Sequence, residues 1–457
     1  MTITVLNGSP KGQVSVTMQY VKYLQKTLPE HAFQIIDIAQ DIRRIEKDET
    51  VFRSVIDAVR NADGVLWAFP LYVMLVHADY KRFIELVFER GAGDAFKDKY
   101  TAVLSTSIHF YDHTAHNYMR AICDDLGMRY TGAFSAAMDD LLKDEGREKL
   151  CCFAGDFMGH IEKKLPTVRR YAPLEPVANV YKPGPAITKA DSSGLNVLLI
   201  TEEAGENANL KAMAERFKNA FTGTVTELDL NKAKIKGGCL GCMHCGFNNE
   251  CVYGDGDDIK MIYDEMIPKA DIIVIAAAMK DRYFSARLKT WIDRRFMHTH
   301  QPVMTGKQIG YLVSGPMGQN ENLWEMCTAM TELDRSNLCG IITDEEKDNA
   351  MIDAQIDALA GRLVQLAKAG YIQPGSFYGV AGAKLFRDEI WLGLRFTFQA
   401  DHKYFKKHKM YDFPQKQVKA RLFVSMMTLM SKLPSFRKHM QKNMKTLMLQ
   451  EYGKVFK

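Results

Sequence analysis

Four of the nine cysteines stand within one fourteen-residue segment, GCLGCMHCGFNNEC. They are Cys239, Cys242, Cys245 and Cys251, with the spacing C-x2-C-x2-C-x5-C. Thiolates spaced in this way can converge on one small inorganic centre, and a compact triple followed by a fourth cysteine is typical of [4Fe–4S] ligation. Two alternatives stay open: structural zinc, which usually takes two C-x2-C pairs with a longer spacer, and four thiols without any metal.

A second candidate for chemistry is the polar stretch LNGSPKGQVSVT, which continues the first strand-like run. A tight turn here leaves backbone N–H groups at the start of a helix, and the hydroxyls of Ser9, Ser15 and Thr17 can add donors for an anion. The same residues also suit a polar turn whose hydroxyls cap the helix. The local pattern therefore predicts either a phosphate site or a capped turn.

The elements that must position these residues alternate between strands and helices. Strand-like runs such as TITVLN, GVLWAFP and TAVLSTS alternate with helical patterns, and the cycle starts again at NVLLIT and continues through DIIVIAAAM and QIGYLVS. Such alternation predicts parallel, doubly wound sheets with helices on both faces. We therefore predict an α/β protein that contains two tandem doubly wound domains.

The two cycles align as an internal repeat. Lys81 matches Lys289 at an offset of 208, whereas Gly8-Ser9-Pro10 lies opposite Thr201-Glu202-Glu203 at an offset of 193. The second copy is therefore expected to hold 15 additional residues (208 − 193) between these two positions. Because the cysteine segment lies in that interval, we predict that it is an insertion in one copy of a duplicated domain.

The first copy, about residues 1–170, resembles the NADPH-dependent FMN reductase branch of the flavodoxin-like proteins. The resemblance is carried by LNGSPKGQVSVT, by ADGVLWAFPLYVMLVHADYKRFIE and by AVLSTSIHF. It implies that the first segment holds the FMN phosphate, the second lines the isoalloxazine, and the third forms its other edge. The implied contacts are, in that order, Ser9, Lys11, Ser15 and Thr17; Pro70, Leu71, Tyr72 and Val73; and Ser105, Thr106 and Ser107. Val16 departs from the family pattern, which commonly has Asn there.

The second copy resembles the iron–sulfur flavoproteins, which are flavodoxin-like proteins with a compact cysteine loop. This resemblance implies that Cys239, Cys242, Cys245 and Cys251 bind a [4Fe–4S] cluster near the flavin of a partner. The first loop of the second copy, TEEAGENANL, carries Glu202 and Glu203, and carboxylates repel a phosphate. We therefore expect one FMN site, in the first copy, and a cluster from the second copy beside it.

The chain divides into four predicted segments. They are a flavodoxin-like FMN-binding domain (1–175), a linker (176–194), a second flavodoxin-like domain with the cysteine loop (195–374) and a mainly α-helical basic region (375–457). From Ser376 onwards 17 Lys and Arg face 5 Asp and Glu, a net charge of +12 in a chain of +5. This region suits a helical cap on the acidic domains or an amphipathic contact with an anionic membrane. Nucleic-acid binding is not expected, because nothing resembles a base-reading module.

Composition favours a cytoplasmic protein. The start of the chain shows no signal-peptide pattern, no run of about 18 apolar residues occurs, and nine cysteines do not suit a secreted disulfide framework. We expect a cytoplasmic location, which becomes peripheral at the membrane surface if the basic region binds lipid.

These features predict an FMN-dependent NAD(P)H oxidoreductase that passes electrons between the flavin and a [4Fe–4S] cluster to a small-molecule or protein acceptor. A homodimer is a further expectation. The alternatives are a non-enzymatic flavin and iron–sulfur electron carrier, working with a ferredoxin or a membrane partner, and a redox sensor that acts through the basic region. No residue stands out as an acid or base, and His109 and Tyr111 are the nearest polar candidates.

Overall fold

Two five-stranded parallel sheets form the centre of the protein, whose computed structural model describes residues 1–186, 189–202, 207–450 and 452–455. The first sheet has the order β2-β1-β3-β4-β5, with β1 (Thr2–Asn7), β2 (Ala32–Asp37), β3 (Gly64–Pro70), β4 (Tyr100–Ser107) and β5 (Arg129–Ala137). The second has the order β10-β9-β8-β6-β7, with β6 (Val197–Thr201), β7 (Val225–Asp229), β8 (Ile272–Ala278), β9 (Gln308–Ser314) and β10 (Asn337–Thr343). The predicted fold class of two doubly wound parallel sheets is confirmed.

Helices flank both sheets. Those of the first domain are α1 (Val16–Thr27), α2 (Ile38–Lys47), α3 (Glu49–Asn61), α4 (Ala78–Glu89), α5 (Asp112–Asp125) and α6 (Asp144–Lys163). Those of the second are α7 (Ala208–Asn219), α8 (Ile259–Met261), α9 (Ile267–Lys269), α10 (Ala286–Arg294), α11 (Glu321–Leu333) and α12 (Asn349–Ala369), with a π-helical turn, Ile262–Met266, between α8 and α9. The chain continues with α13 (Phe377–Trp391), α14 (Gln399–Lys407), α15 (Val418–Met430) and α16 (Pro434–Leu449), so the predicted C-terminal region is helical.

Local sequence explains where these elements lie. The central strands β3 and β8 are buried along nearly their whole length, which the apolar runs GVLWAFP and IIVIAAA require. Helices α1, α3 and α10 begin where Ser15, Asp48 and Ser285 accept a hydrogen bond from a first-turn N–H group.

The chain consists of two compact units, Met1–His402 and Lys403–Lys457. The first unit contains both sheets together with α13, and the second contains α15 and α16. The three boundaries between the four segments expected from the sequence stay predictions.

The sheet registers correct the predicted alignment of the two copies. Asn7 and Thr201 pair with Ala68 and Ala276, and these two alanines are 208 residues apart. Thr201 is therefore the counterpart of Asn7, at an offset of 194 (201 − 7). The predicted offset of 193 is wrong by one residue, and the net insertion is 14 residues (208 − 194) instead of 15.

The additional residues follow β7. Asp37 and Asp229 pair with Asn7 and Thr201, so the offset at β2 and β7 is 192 (229 − 37). It rises to 208 only at β3 and β8, so 16 extra residues (208 − 192) separate β7 from β8. The four cysteines lie in this connection, as the repeat predicts.

One hydrophobic core runs through both domains. It joins Leu6 and Trp67 of the first sheet to Ile275 and Tyr311 of the second through apolar side chains of α4, α5, α10 and α11. The opposite faces are covered separately, by α1 and α6 on the first sheet and by α7 and α12 on the second. The helices α4, α5, α10 and α11 therefore lie between the sheets.

Helices α4 and α10 cap each other's N-termini inside this core. The Asp293 carboxylate of α10 accepts a hydrogen bond from the Ala78 N–H at 2.8 Å, and the Glu85 carboxylate of α4 accepts one from the Ala286 N–H at 2.6 Å. Each donor is the first residue of its helix, where a carboxylate is favoured by the helix dipole. Ala78 corresponds to Ala286 and Glu85 to Asp293, each at an offset of 208 residues, so the two hydrogen bonds are related by pseudo-twofold symmetry.

A buried lysine neutralises one half of this contact. Lys81 Nζ lies 3.0 Å from the Glu85 carboxylate of its own helix and 3.0 Å from Asp281 of the second domain. Tyr118 donates its hydroxyl hydrogen to Asp281 at 3.0 Å. All four side chains are buried, and burial raises the pKa of Asp281 although Lys81 opposes that effect. The cation therefore joins the carboxylates of both domains.

The pseudo-symmetric lysine connects the interface to the first domain's strand ends. Lys289 is fully buried, forms an ion pair with Asp293 of its own helix, and donates to the Tyr72 carbonyl oxygen at 2.8 Å. Burial raises the pKa of Asp293 to about 6, against the effect of Lys289. The interface thus fixes the turn that contains Tyr72.

We expect Lys81→Met to lower the free energy of unfolding by about 3–5 kcal/mol, because Glu85 and Asp281 would stay buried without their cation. Lys149→Met is the matched control, since Lys149 forms an exposed ion pair with Glu145 at helical spacing. Urea unfolding of both variants measures the difference. Equal, small effects would contradict the buried network.

Candidate functional site

The carboxyl end of β1 leads into a loop with two buried hydroxyl groups. Ser9 Oγ accepts a hydrogen bond from the Lys11 N–H at 3.2 Å, and Ser15 Oγ accepts one from the Met18 N–H at 3.3 Å. Ser9 and Ser15 are buried, whereas Lys11 is exposed. Because both hydroxyls accept in these contacts, their own hydrogens can be donated to an anionic ligand.

Thr17 connects this loop to the neighbouring strand ends. Its hydroxyl oxygen lies 2.6 Å from that of Thr106, at the end of β4, and both residues are buried. The Leu71 N–H donates to the Thr106 carbonyl at 3.0 Å. The loops after β1, β3 and β4 therefore meet at one edge of the sheet, where open α/β sheets bind ligands.

The second predicted segment forms a tight turn at the end of β3, containing Pro70, Leu71, Tyr72 and Val73. Tyr72 and Leu75 exchange backbone hydrogen bonds of 2.8 and 3.0 Å. The two residues between them have left-handed backbone angles, with φ of 39° at Val73 and 65° at Met74. Such angles are strained for a β-branched residue, and strain of this kind concentrates at ligand sites.

The third predicted segment, Ser105, Thr106 and Ser107, is buried at the end of β4. The Ser105 hydroxyl oxygen lies 2.8 Å from His116 Nε2, and Ser107 Oγ accepts from the His109 N–H at 2.8 Å. Burial lowers the pKa of His116, so its ring is neutral near pH 7. The structure thus brings all three segments to one edge, while their role as cofactor contacts stays a prediction.

The two polar candidates after β4 differ in exposure. The His109 ring is exposed and pairs with Asp112 at 3.0 Å. The Tyr111 ring belongs to the shared core, and its hydroxyl has no hydrogen-bond partner among the described residues. No acid or base role follows for either residue.

The cysteine loop, defined as residues 237–251, lies against this edge of the first domain. Gly241 has a φ of +61°, and a Cβ there would collide with the Tyr72 hydroxyl and lie 3.0 Å from Lys11 Cε. A Cβ on Gly238 would lie 2.9 Å from His77 Cε1. Only glycines allow the loop backbone to approach so closely. The loop therefore touches both the hydroxyl-rich loop and the Tyr72 turn.

His77 ties the two domains together at this point. Its Nδ1 accepts a hydrogen bond from the Asp79 N–H at 3.1 Å, and its Nε2 lies 2.8 Å from the Cys239 carbonyl oxygen. Burial lowers the pKa of His77 to about 3, so the ring is neutral. The proton therefore sits on Nε2, which donates to Cys239. Sequence reasoning missed His77, for which the only signal was its position before the first residue of α4.

Arg294 holds the loop from the other side. Its guanidinium donates to the Gly237 carbonyl and to Asp257, each at 2.9 Å, and lies 3.5 Å from Cys251 Sγ. It also stacks over the Tyr253 ring at 4.1 Å. Arg294 is almost fully buried and forms an ion pair with the buried Asp257, so it holds a charge-balanced hydrogen-bond donor beside Cys251. Nothing in the sequence pattern identified this residue.

The cysteines themselves are unpaired thiols. Cys245 is buried, Cys239 and Cys251 are partly buried, and Cys242 is exposed. Burial, with a smaller effect of neighbouring groups that include the other thiols, raises the pKa of Cys239 and of Cys245 to about 12. Among the residues that the structure describes, no three His, Cys, Asp or Glu side chains form a group that could hold a metal ion. Metal ligation therefore stays a prediction.

Comparison with known proteins supports the interpretation of the first domain. Residues 1–141 match the family model described as NADPH-dependent FMN reductase. The resemblance predicted from the three loop segments is thereby confirmed. In addition, 76 residues are 33% identical to an iron–sulfur flavoprotein of Archaeoglobus fulgidus. That match covers 16% of this chain and spans one third (33%) of the relative's length.

Two solved structures resemble part of the chain. The flavoenzyme NAD(P)H:(acceptor) oxidoreductase FerB of Paracoccus denitrificans is 22% identical over 35% of this chain and 97% of its own, with a TM-score of 0.30. General stress protein 14 of Treponema denticola, solved in complex with FMN, is 13% identical over 36% of this chain and 99% of its own, with a TM-score of 0.27.

The corresponding edge of the second domain differs from the FMN reductase pattern. Gly8 and Glu202 donate their N–H groups to Ala68 and Ala276, so the buried Glu202 takes the place of Gly8. A buried carboxylate disfavours a phosphate at this position. Glu203, which the sequence placed in the same loop, lies outside the described residues.

Polar side chains of the second domain bond to one another at this edge. The Asp344 carboxylate accepts from the Ser314 hydroxyl at 2.6 Å and from the Asn209 amide at 2.8 Å. Asn209 also donates to the Asn179 carbonyl and accepts from the Tyr181 N–H, and both partners belong to the predicted linker. The linker thus uses polar groups that correspond to those at the first domain's edge.

We expect Gly241→Ala to destabilise the protein more than Gly254→Ala does, because only the former adds a Cβ against Tyr72. Both glycines have left-handed backbone angles, and no atom of the described residues lies within 4 Å of a Cβ at Gly254. The left-handed backbone costs an alanine roughly 1–2 kcal/mol at either position, so the excess destabilisation of Gly241→Ala measures the contact with Tyr72. Tyr72→Phe, which removes the colliding hydroxyl, should reduce that excess in a double-mutant cycle. Urea unfolding gives the four values, and additive effects would argue against the contact.

Proposed function

We propose that the protein is an FMN-dependent NAD(P)H oxidoreductase whose first domain holds FMN and whose cysteine loop holds a [4Fe–4S] cluster beside it. The observation that carries the proposal is the contact of the cysteine loop with Lys11 and Tyr72, which belong to the predicted flavin contacts, and with His77, which follows the Tyr72 turn. The match of residues 1–141 to the NADPH-dependent FMN reductases supports the flavin part. The similarity to an iron–sulfur flavoprotein supports the cluster.

The donor set of the first domain fits a phosphate monoester. Ser9 and Ser15 keep hydroxyl hydrogens for an anion, the start of α1 supplies first-turn N–H groups, and Lys11 supplies a charge nearby. Tyr72 and the strained backbone after it would line the ring, and the Lys289 hydrogen bond to the Tyr72 carbonyl would hold that turn in place. When bound, FMN accepts a hydride from NAD(P)H and releases electrons singly, which a [4Fe–4S] cluster can exchange.

The donor set of the cysteine loop fits a cluster by its chemistry. Four thiols are available, and Arg294, which is paired with Asp257, can donate a hydrogen bond to an anionic centre beside Cys251. The described side chains do not converge into a metal-binding group, so the loop would have to draw its thiols together on assembly. Ligation also requires the buried thiols of Cys239 and Cys245 to lose their protons, which metal binding drives.

The FMN part is tested by Ser15→Asp. Aspartate still caps α1, so the helix keeps its start, but its carboxylate would repel the FMN phosphate. Asn207→Asp is the matched control, because Asn207 caps the corresponding helix α7 by accepting from the Leu210 N–H. We expect the FMN dissociation constant to rise by more than about tenfold for Ser15→Asp and to stay unchanged for Asn207→Asp. The reason is that the repulsion between the new carboxylate and the phosphate adds a free energy that corresponds to at least this factor. Equal loss in both variants, measured by flavin fluorescence, would refute the assignment.

The cluster part is tested by iron, sulfide and flavin analysis of anaerobically purified protein. About four iron atoms per FMN are expected, with loss of iron in Cys245→Ser and no loss in Cys152→Ser, an exposed cysteine on α6. The Cys245→Ser variant should still bleach its flavin with NAD(P)H. Zinc in place of iron, or no metal at all, would overturn the cluster. A flavin that NAD(P)H does not reduce would favour the electron-carrier alternative.

A further inference from the structure

The two last long helices expose an unusual amount of apolar surface. No residue of α15 or α16, both of which are fully described, is buried. Ten large apolar side chains on these helices are between 38% and 68% exposed: Val418, Leu422, Phe423, Val424, Met426, Leu429, Met430, Met444, Met448 and Leu449. An apolar surface of this extent, on one element pair, marks an interaction site.

On α15 five of the seven exposed apolar side chains form one broad face. At 100° per residue, Leu422, Phe423, Met426, Leu429 and Met430 fall within an arc of about 120°. An apolar arc of this width is typical of an amphipathic helix whose apolar face packs against another surface. On α16 the exposed methionines and Leu449 stand among exposed Arg437, Lys438, Lys442 and Lys445.

The charge of the same segment is strongly positive. Residues 403–457 contain 14 Lys and Arg against Asp412 and Glu451, a net charge of +12. Between residues 413 and 450 the sequence has no acidic residue. An occupant of this surface must therefore combine a negative charge with an apolar layer.

We propose that α15 and α16 bind the surface of an anionic lipid bilayer, with their apolar side chains in the acyl boundary and their basic side chains at the headgroups. Nucleic acid would match the charge but would leave the apolar face uncovered. A second copy of the segment would cover the apolar face but would bring two charges of +12 together. An anionic bilayer satisfies both requirements.

The helices lie in the bilayer surface and do not cross it. At 1.5 Å per residue, the 13 residues of α15 and the 16 residues of α16 extend about 20 and 24 Å, less than the roughly 30 Å of a hydrocarbon core. Within the described residues no helix has both the length and the apolar character of a membrane span. This inference does not depend on the proposed redox function.

The test is co-sedimentation of the full-length protein with lipid vesicles. We expect binding to phosphatidylcholine vesicles with about one third phosphatidylglycerol to exceed binding to pure phosphatidylcholine by more than about tenfold at 0.1 M salt. Leu422→Glu with Leu429→Glu should reduce binding to the level of the neutral vesicles. Leu142→Glu, at an exposed leucine of the first unit, should not.

The basic face is tested separately by Lys438→Glu with Lys442→Glu, against the exposed pair Lys26→Glu with Lys47→Glu. Only the first pair should weaken binding and its dependence on salt. An unchanged circular dichroism spectrum and an unchanged urea unfolding midpoint in every variant show that the protein remains folded. Equal binding to both kinds of vesicle would overturn the proposal. So would binding to duplex DNA that the leucine variants leave intact, or concentration-dependent dimers that the leucine variants abolish.

Discussion

The reciprocal capping of α4 and α10 is the interaction on which the arrangement of the two domains depends. A carboxylate from each helix accepts a hydrogen bond from the first N–H of the other, and buried lysines neutralise both carboxylates. Charges buried in this way tolerate little displacement, because a lost partner leaves an uncompensated ion in a medium of low dielectric constant. Apolar packing around them supplies most of the attraction, whereas the ions specify one relative position.

That position places the cysteine loop. The loop leaves the second sheet after β7 and ends before α8, yet its glycines rest on Tyr72 and next to His77 of the first domain. Lys289 belongs both to the interface and to this contact, since it holds the Tyr72 carbonyl. The contacts that dock the two domains therefore also position the residues of the candidate site. A change in the interface would move the loop relative to the strand ends of the first domain.

Duplication has produced two domains of the same topology with different uses of the same positions. Ser15 and Asn207 cap corresponding helices, and Thr106 and Ser314 end corresponding strands. In the first domain these polar groups lie at the carboxyl-end edge of the sheet, against which the cysteine loop of the second domain packs. In the second, Asp344 and the linker bond to them. We propose that one copy uses these groups to bind a ligand, while the other bonds them within the chain and contributes the cysteine loop.

The sequence alone determined the strands, the helices and the doubly wound topology, because buried parallel strands and their connecting helices leave continuous and periodic apolar patterns. It also located the three loop segments and the cysteine spacing, since each is contiguous in the chain. The insertion was placed in the correct interval but misaligned by one residue, because Gly8 and Glu202 share no chemistry and only the sheet register relates them. His77, Arg294 and the pairing of Lys81 with Asp281 were decided by tertiary structure. Their partners Cys239, Asp257 and Asp281 lie at least 37 residues away along the chain, and in two of the three cases in the other domain. A buried polar group takes whichever partner folding brings to it, and no local pattern records that choice.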